Sequence, residues 1–380
     1  MSAGAARHEH PIVFAGTSRA HGGAERQLEI VVRALAAEEP VAVVLGSGSS
    51  PDTRAALAAA GASVHLVRGL GRRPTPMAIA RLWGLLRRLR PRLVHANLSD
   101  QGDGLATLAA ARLAGVPAVA TLHLVLPGRR RALEALSRVT LRSAQPVIAV
   151  SDGVGAYLAA GRIAHQVVRN ALPPPTAARR SREALMPGAA GPLVGGIGRL
   201  DHQKGWDVLC AAAPIVRRAV PDASFVVLGD GPLRERLEAE GRAAGVEFRG
   251  YVADAAGFMP ALDVLVMPSR YEGLSLTAIE ALGHGTPVVA SDIPGLREAV
   301  EGCGALVPVE DPEALASALI ALLSDGERRR AASAASLERA RTRFDVGRMI
   351  ELTREAQALA MSWAPANVEL RRGAKRRSSG

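Results

Sequence analysis

SFVVLGDGPLRERLEAEGRAAGVEFRG, residues 224–250, holds two short apolar runs with a helical stretch between them. SFVVLG (224–229) and VEFRG (246–250) read as strands, and 232–243 reads as a helix. A strand, a helix and a second strand in so short a span make a crossover unit, with its two strands parallel. The alternation extends to both sides. Upstream stand LVGGIG (193–198) and a helix over 205–218. Downstream come VLVMPS (264–269), PVVAS (287–291) and GALVP (304–308), with helices at 275–284, 294–300 and 312–323. Two further helical patterns follow at 326–342 and 345–361.

The first half of the chain repeats the theme. PIVFAG (11–16), VAVVLG (41–46), SVHLV (63–67), LVHAN (93–97), AVATLH (118–123) and PVIAVS (146–151) read as strands. Helices are expected at 24–37, 53–60, 77–90, 103–114 and 129–143. Strands this continuously apolar belong to a parallel sheet covered on both faces. NALPPPTAARRSREALMPGAAGP (170–192) breaks the rhythm with three consecutive prolines and a later Gly/Pro cluster, and reads as a linker. The fold class is therefore α/β: two Rossmann-like, doubly wound parallel-sheet domains with a cleft between them. In such sheets ligands bind beyond the carboxyl ends of the strands.

Composition excludes several classes. Of 380 residues, 48% are hydrophobic and 22% charged, enough apolar material for more than one core and too much for a disordered chain. Cys210 and Cys303, the only two cysteines, cannot build a disulfide framework or a cysteine-rich zinc site. No apolar run reaches the roughly 18 residues of a membrane span. MSAGAARHEH at the N-terminus lacks the apolar core of a secretory signal. The expectation is a cytoplasmic protein that associates with the inner face of the plasma membrane at most peripherally.

The net charge of +11 is unevenly placed. Residues 1–170 carry 21 arginines against 10 carboxylates, whereas 171–370 are net acidic and RRGAKRRSSG (371–380) is basic. A basic N-terminal half favours an acidic partner. The chain has 45 arginines and two lysines, so a coding bias toward arginine explains part of the excess. Nucleic acid is not expected as a partner, because the few aromatics are not interleaved with basic stretches as a stacking platform requires.

Three motifs carry chemistry. AHGGAERQ (20–27) follows the first strand and opens a helix; Gly22 and Gly23 let the backbone approach a ligand, and the helix start offers free amides. GRLDHQKGWDVL (198–209) places Arg199 and Lys204 in the loop after the first strand of the second domain, where two flexible cations can converge on a diphosphate. Lys204 is the sole lysine before the tail.

SRYEGLSLTAIEALGHGTPVVAS (269–291) puts Glu272 just before a helix and Glu280 eight residues on, about 12 Å along the axis. That approximates the reach from a hexose to the ribose of a nucleotide sugar. The amides of Leu274, Ser275 and Leu276 between them suit a diphosphate. Glu280 stands among Ala278, Ile279, Ala281 and Leu282, too apolar a setting for a plain surface carboxylate.

In this order the motifs resemble the large "group 1" family of retaining glycosyltransferases, and the likeness covers nearly the whole chain. The family's Glu-x7-Glu signature falls on Glu272 and Glu280. The resemblance implies a GT-B fold, with 1–170 binding the acceptor, 171–192 a linker, and 193–344 binding the nucleotide sugar. Helix 345–361 is expected to pack back onto the first domain, and 364–380 to be a disordered basic tail. By resemblance, Glu272 contacts the donor sugar, Glu280 the ribose, Arg199 and Lys204 the diphosphate, and Gly22 and Gly23 the region of donor phosphate and acceptor. His123 matches the histidine that touches the sugar near the reacting carbon. RGYV (249–252), with Tyr251 and Val252, matches the loop holding the base. AVSDGV (149–154) and LGDGPLRERLE (228–238) match further family stretches. Two departures are Asn170-Ala171 where the family often has Asn-Gly, and Leu124 after His123.

The implied reaction is transfer of a hexose from a nucleoside diphosphate to a hydroxyl of a saccharide or lipid-linked acceptor, in cell-envelope or exopolysaccharide synthesis. Retention follows from the family, with the leaving phosphate oxygen as base. Closure of the two domains over the donor would exclude water. No Asp-x-Asp pair occurs in the chain, so no metal and no other cofactor is expected; Arg199, Lys204 and the helix start at 274–276 would take up the leaving charge. Helix 77–90 and segment 129–143 are candidate membrane faces. The rival readings are a non-hydrolysing sugar-nucleotide epimerase, which would turn over donor without acceptor, and a non-catalytic sugar-nucleotide-binding protein.

Overall fold

A computed structural model describes residues 9–17, 22–72, 74–176 and 179–377, with side chains through residue 363. The chain divides into two compact units, 1–170 with 347–380, and 171–346.

The first unit runs β1 (Ile12–Gly16), α1 (Gly23–Ala36), β2 (Val41–Gly46), α2 (Pro51–Ala59), β3 (Ser63–Val67), α3 (Pro76–Leu89) and β4 (Leu93–Leu98). It continues through α4 (Leu105–Ala114), β5 (Ala118–Leu122), α5 (Arg131–Leu141), β6 (Val147–Ala149), α6 (Asp152–Ala160) and β7 (His165–Val167). The strands form one sheet in the order β3-β2-β1-β4-β5-β6-β7, and every pairing is parallel. β1, β2 and β4 are buried along their whole length, as runs of Val, Ile, Leu and Ala covered on both faces must be. Val13, Val44, Leu82, Leu86, Val94 and Ala110 make up the centre of one core layer.

Two elements here escape the sequence reading. β7 is a three-residue edge strand, His-Gln-Val, with no apolar run to announce it. α6 contains Gly153 and Gly155, and glycine is a poor helix former; Ser151 compensates by accepting from the Val154 amide at 3.2 Å.

The second unit holds α7 (Arg182–Leu185), β8 (Leu193–Ile197), α8 (Trp206–Ala219), β9 (Ser224–Leu228), α9 (Arg234–Ala244), β10 (Val246–Phe248) and β11 (Val264–Met267). α10 (Leu276–Gly283), β12 (Val288–Ser291), α11 (Pro294–Val300), β13 (Ala305–Val307), α12 (Pro312–Leu323) and α13 (Gly326–Arg343) complete it. Its parallel sheet is ordered β10-β9-β8-β11-β12-β13. Trp206, Phe225, Val264, Val289 and Leu315 pack in its core.

Segment 171–192, expected to be a plain linker, belongs to this second unit. Arg182 donates to Asp263 at 2.6 Å and to the Gly191 carbonyl at 2.8 Å, and Leu185 is buried. One ion pair and one apolar anchor tie down a stretch whose prolines only forbid long helices.

The last helix, α14 (Val346–Arg377), groups with the first unit, where Arg354 pairs with Glu38 at 2.9 Å. It outruns the expected 345–361 because residues 366–377 are mostly good helix formers. Much of the segment expected to be a disordered tail therefore lies within a helix; 378–380 fall outside the described residues.

Candidate active site

Each sheet has a switch point, where the chain order reverses and the loops on either side splay apart. In the second unit it lies between β8 and β11. The loop after β8 carries Arg199 and Lys204, and the loop after β11 carries Glu272 and leads into α10. Topology alone thus brings together two motifs about 70 residues apart.

Their contact is direct. Lys204 Nζ lies 2.5 Å from Glu272 Oε1, and Ser269 Oγ donates to the same oxygen at 3.1 Å. Oε2 has no partner among the described residues. The pair is largely buried, with Lys204 15% and Glu272 9% exposed.

Backbone stitching fixes the two loops. Gln203 Nε2 donates to the Tyr271 carbonyl at 3.0 Å, and the Arg270 amide to the Gln203 carbonyl at 2.8 Å. Arg270 grips Asp207 with both terminal nitrogens, at 3.1 and 2.8 Å, and reaches Glu310 at 2.7 Å. Burial acts to raise the Asp207 pKa, but the hydrogen bond and charge of Arg270 outweigh it and hold that carboxyl below its usual value. Gly205 has φ +66°, and a Cβ there would sit 2.1 Å from the Pro268 carbonyl oxygen, so only glycine fits the seam.

The remaining residues expected at the donor site lie in the loops after β8, β10 and β11 and in α10. Arg199 opens the same loop; it is 68% exposed, and it pairs with Asp201 at 3.5 Å. Lys204 is neutralised by Glu272, so each of the two cations faces its own carboxylate. Leu274, Ser275 and Leu276 are buried, and α10 starts one residue later than expected, with Ser275 as an N-cap whose side chain makes no capping bond. Glu280 lies half-buried in the second turn of α10 and has polar company.

Tyr251 and Val252 follow the edge strand β10. The Gly250 carbonyl accepts the Gly229 amide at 2.8 Å, which joins this loop to the one after β9. Tyr251 itself is exposed and Val252 half-buried. The burial of Tyr271, with the charges of Asp201 and Glu272 beside it, raises its phenol pKa.

In the first unit the switch point lies between β1 and β4. Gly22 and Gly23 stand exposed at the start of α1, and the Glu25 carboxylate accepts the Gly22 amide at 3.0 Å. Residues 18–21, including the first two of the AHGGAERQ motif, lie outside the described residues. His123 follows β5. Its Nε2 lies 2.8 Å from Asn97 Oδ1, so Nε2 carries the proton, because an amide oxygen can only accept. Asn97 Nδ2 points to the Ala24 carbonyl at 3.4 Å. One asparagine at the end of β4 thereby links the glycine-led helix to the histidine.

A second histidine backs this arrangement. His95 stacks on Phe14, accepts from Gln357 of α14 at Nδ1 (3.0 Å) and donates from Nε2 to Thr121 Oγ1 (2.7 Å). Burial pushes the His123 pKa down to about 4; burial and the neighbouring His123 push that of His95 down to about 3. Both are neutral imidazoles at pH 7. A small cavity of about 20 Å³, room for roughly one water, lies against His95, Asn97, Thr121 and His123. Nearby, Asp103 holds Thr17 Oγ1 at 2.5 Å, and its own burial raises its pKa.

Asn97, Ser269 and Gln357 were not found from sequence. Asn97 ends the run LVHAN and Ser269 opens the motif 269–291, but nothing in either run marks the residue as a partner; Gln357 had no signal. Among the described residues no three His, Cys, Asp or Glu side chains gather to hold a metal ion.

Comparison with known proteins then decides the family. Residues 191–325 match the model described as Glycosyl transferases group 1, and residues 21–173 match Glycosyltransferase Family 4. A 2-deoxystreptamine N-acetyl-D-glucosaminyltransferase from Streptomyces fradiae is 34% identical over 285 residues, covering 67% of this chain and 68% of that one. The chain belongs to the group 1 glycosyltransferases. A 2-deoxystreptamine glucosyltransferase from Streptomyces kanamyceticus is 31% identical to this glycosyltransferase, covering 63% of it and 74% of the relative. The lipopolysaccharide core mannosyltransferase LpsB of Rhizobium meliloti is 32% identical, covering 59% and 66%. In fold, this glycosyltransferase is similar to Anabaena Alr3699/HepE, solved with UDP-glucose. The TM-score is 0.78 at 21% identity, over 92% of this chain and 99% of that one. The fold is GT-B. Family membership sets the epimerase reading aside.

Proposed function

We propose that this glycosyltransferase moves a hexose from a nucleoside-diphosphate sugar to a hydroxyl of a saccharide or lipid-linked acceptor, with retention of configuration. The observation that carries the reading is the Lys204–Glu272 pair at the switch point, beside the start of α10. A sugar diphosphate supplies what each partner needs: phosphate oxygens for Lys204 and vicinal hydroxyls for Glu272. The amides at 274–276 and Arg199 would complete the diphosphate site, Glu280 would take the ribose, and the backbone of 249–252 would take the base.

Charge develops on the leaving diphosphate as the glycosidic bond breaks. Lys204, Arg199 and the α10 amides meet it there, so the reading requires no metal. The leaving phosphate oxygen takes the acceptor proton. His123, neutral and with Nδ1 as acceptor, would orient a sugar hydroxyl without supplying a proton. The Rhizobium relative, named for lipopolysaccharide core biosynthesis, supports a role in cell-envelope glycan synthesis, whereas the Streptomyces relative is named for transfer to 2-deoxystreptamine. No helix among the described residues is long and apolar enough to cross a membrane. The basic N-terminal half favours a cytoplasmic location with peripheral contact at anionic lipid.

The test is a thermal-shift panel of UDP-, GDP-, ADP- and TDP-sugars, followed by transfer assays with the responding donor and EDTA present. A ligand that binds only the native state raises the midpoint. The expected result is one responding nucleotide and EDTA-resistant transfer, with the product anomer matching the donor by NMR. A panel without response, repeated with acceptor present, would overturn the reading.

A further inference from the structure

α5 is built inside out. Ala132, Leu133, Ala135, Leu136 and Val139 form one continuous stripe on the helix, and all five are exposed; Leu133, Leu136 and Val139 are 47, 49 and 62% exposed. The opposite, inward face is mostly polar. Tyr157 donates to Glu134 at 2.6 Å, Arg129 to Ser137 at 3.1 Å, and Arg142 to the Gly161 carbonyl at 2.9 Å. A surface helix normally turns its apolar stripe to its own core. α3, the other basic helix, does so: Ala78, Leu82, Leu85 and Leu86 are buried. The comparison separates two helices that looked alike in sequence.

The stripe is rimmed by positive charge. Residues 129–142 hold five arginines and one carboxylate, Glu134, which is taken up by Tyr157 and Arg138. Arg130 and Arg131 are exposed and make no ion pair or side-chain hydrogen bond among the described residues. An apolar stripe with unpaired cations beside it is complementary to an anionic bilayer: the leucines enter the acyl boundary while the arginines meet headgroup phosphates. We propose that this face of α5 docks the protein on an anionic lipid membrane.

Position gives the contact a use. α5 follows β5, so its first turn stands at the same end of the first unit's sheet as His123. Docking there brings that end to the membrane surface, where a lipid-linked acceptor presents its hydroxyl. This deepens, and for the acceptor rests on, the proposed transferase reading; membrane binding itself is measured without donor or acceptor, so the two fail separately.

The experiment is flotation of the full chain with phosphatidylcholine vesicles, with and without phosphatidylglycerol. Leu133→Gln/Leu136→Gln is compared with wild type and with Met77→Gln, an exposed apolar residue elsewhere. Wild type and Met77→Gln should float with phosphatidylglycerol vesicles at low salt. The double variant should lose at least tenfold in partitioning, with its melting temperature and its nucleotide-sugar thermal shift unchanged. Arg130→Ala/Arg131→Ala should weaken flotation and flatten its salt dependence. Failure of wild type to float, or equal flotation of the double variant, overturns the proposal. So does a concentration-dependent dimer, seen by sedimentation, that the same two substitutions abolish.

Discussion

Lys204 and Glu272 neutralise each other across the β8 and β11 loops, with Nζ 2.5 Å from Oε1. The pairing offsets a cost that either group would carry alone, since a lone ammonium or carboxylate this buried would be unfavourable. On the proposed reading, a diphosphate draws the ammonium away from the carboxylate, and sugar hydroxyls take its place. Donor binding is, on that reading, an exchange of partners, and the two residues are predicted to have opposite effects on a nucleotide that lacks a sugar.

Glu272→Gln should bind the free nucleoside diphosphate at least as tightly as wild type, because Lys204 is released to it. The same variant should lose the preference for nucleotide sugar over nucleotide. Lys204→Ala should weaken both ligands and lower kcat/KM about 100-fold or more, the scale of losing one charge-stabilising donor. Calorimetric titration with diphosphate and with sugar diphosphate checks both, and equal losses for the two variants on free diphosphate would refute the exchange.

Gly205→Ala should disturb the same pair from a distance. The added methyl meets the Pro268 carbonyl and is strained at φ +66°. The β8 loop must shift away from β11, carrying Lys204 off Glu272. The expected result is a stability loss of ~1–3 kcal/mol in urea unfolding and a rise in donor KM. Wild-type behaviour in both would show that the seam is slack.

The sheets were legible because buried parallel strands are continuous apolar runs, as in VAVVLG and VLVMP. β7 was not, since an edge strand of His-Gln-Val needs only a neighbour's backbone. Lys204 and Glu272 were readable through their rarity and their spacing from glycines and from Glu280. Ser269 and Asn97 were unreadable as partners, because their contacts join elements far apart in sequence. The sequence marks segment 129–143 as a helix and a candidate membrane face. It carries no information on which way the apolar face turns, and that depended on Tyr157, Arg129 and Gly161 meeting the polar face.

Acid should destabilise the first unit through its two buried histidines. Their folded pKa values, about 3 and about 4, lie below the unfolded value near 6.5, so the unfolded chain binds more protons in between. Stability is complete above about pH 6.5 and falls as pH drops toward 4, by about 1.4 kcal/mol per pH unit for each histidine. Urea titrations at pH 7.5 and 5 measure the slope. His95→Gln should roughly halve it; an unchanged slope would mean that other groups carry the acid sensitivity.

Asn97 fixes which nitrogen of His123 bears the proton, and this can be tested through pH. In the wild type, His123 stays neutral down to about pH 4, so transfer activity should show no titration from it between pH 5 and 8. Asn97→Asp keeps the acceptor at Oδ1 but sets a negative charge against the ring, which favours the imidazolium and raises its pKa. The protonated ring has no acceptor at Nδ1 to offer a sugar hydroxyl. Activity of Asn97→Asp should therefore match wild type most closely at high pH and fall as pH decreases through the raised pKa. Asn97→Ala frees the ring to turn and should lower kcat about 10- to 100-fold at every pH. Parallel pH–rate profiles for wild type and Asn97→Asp would show that His123 does not contact the reacting sugar.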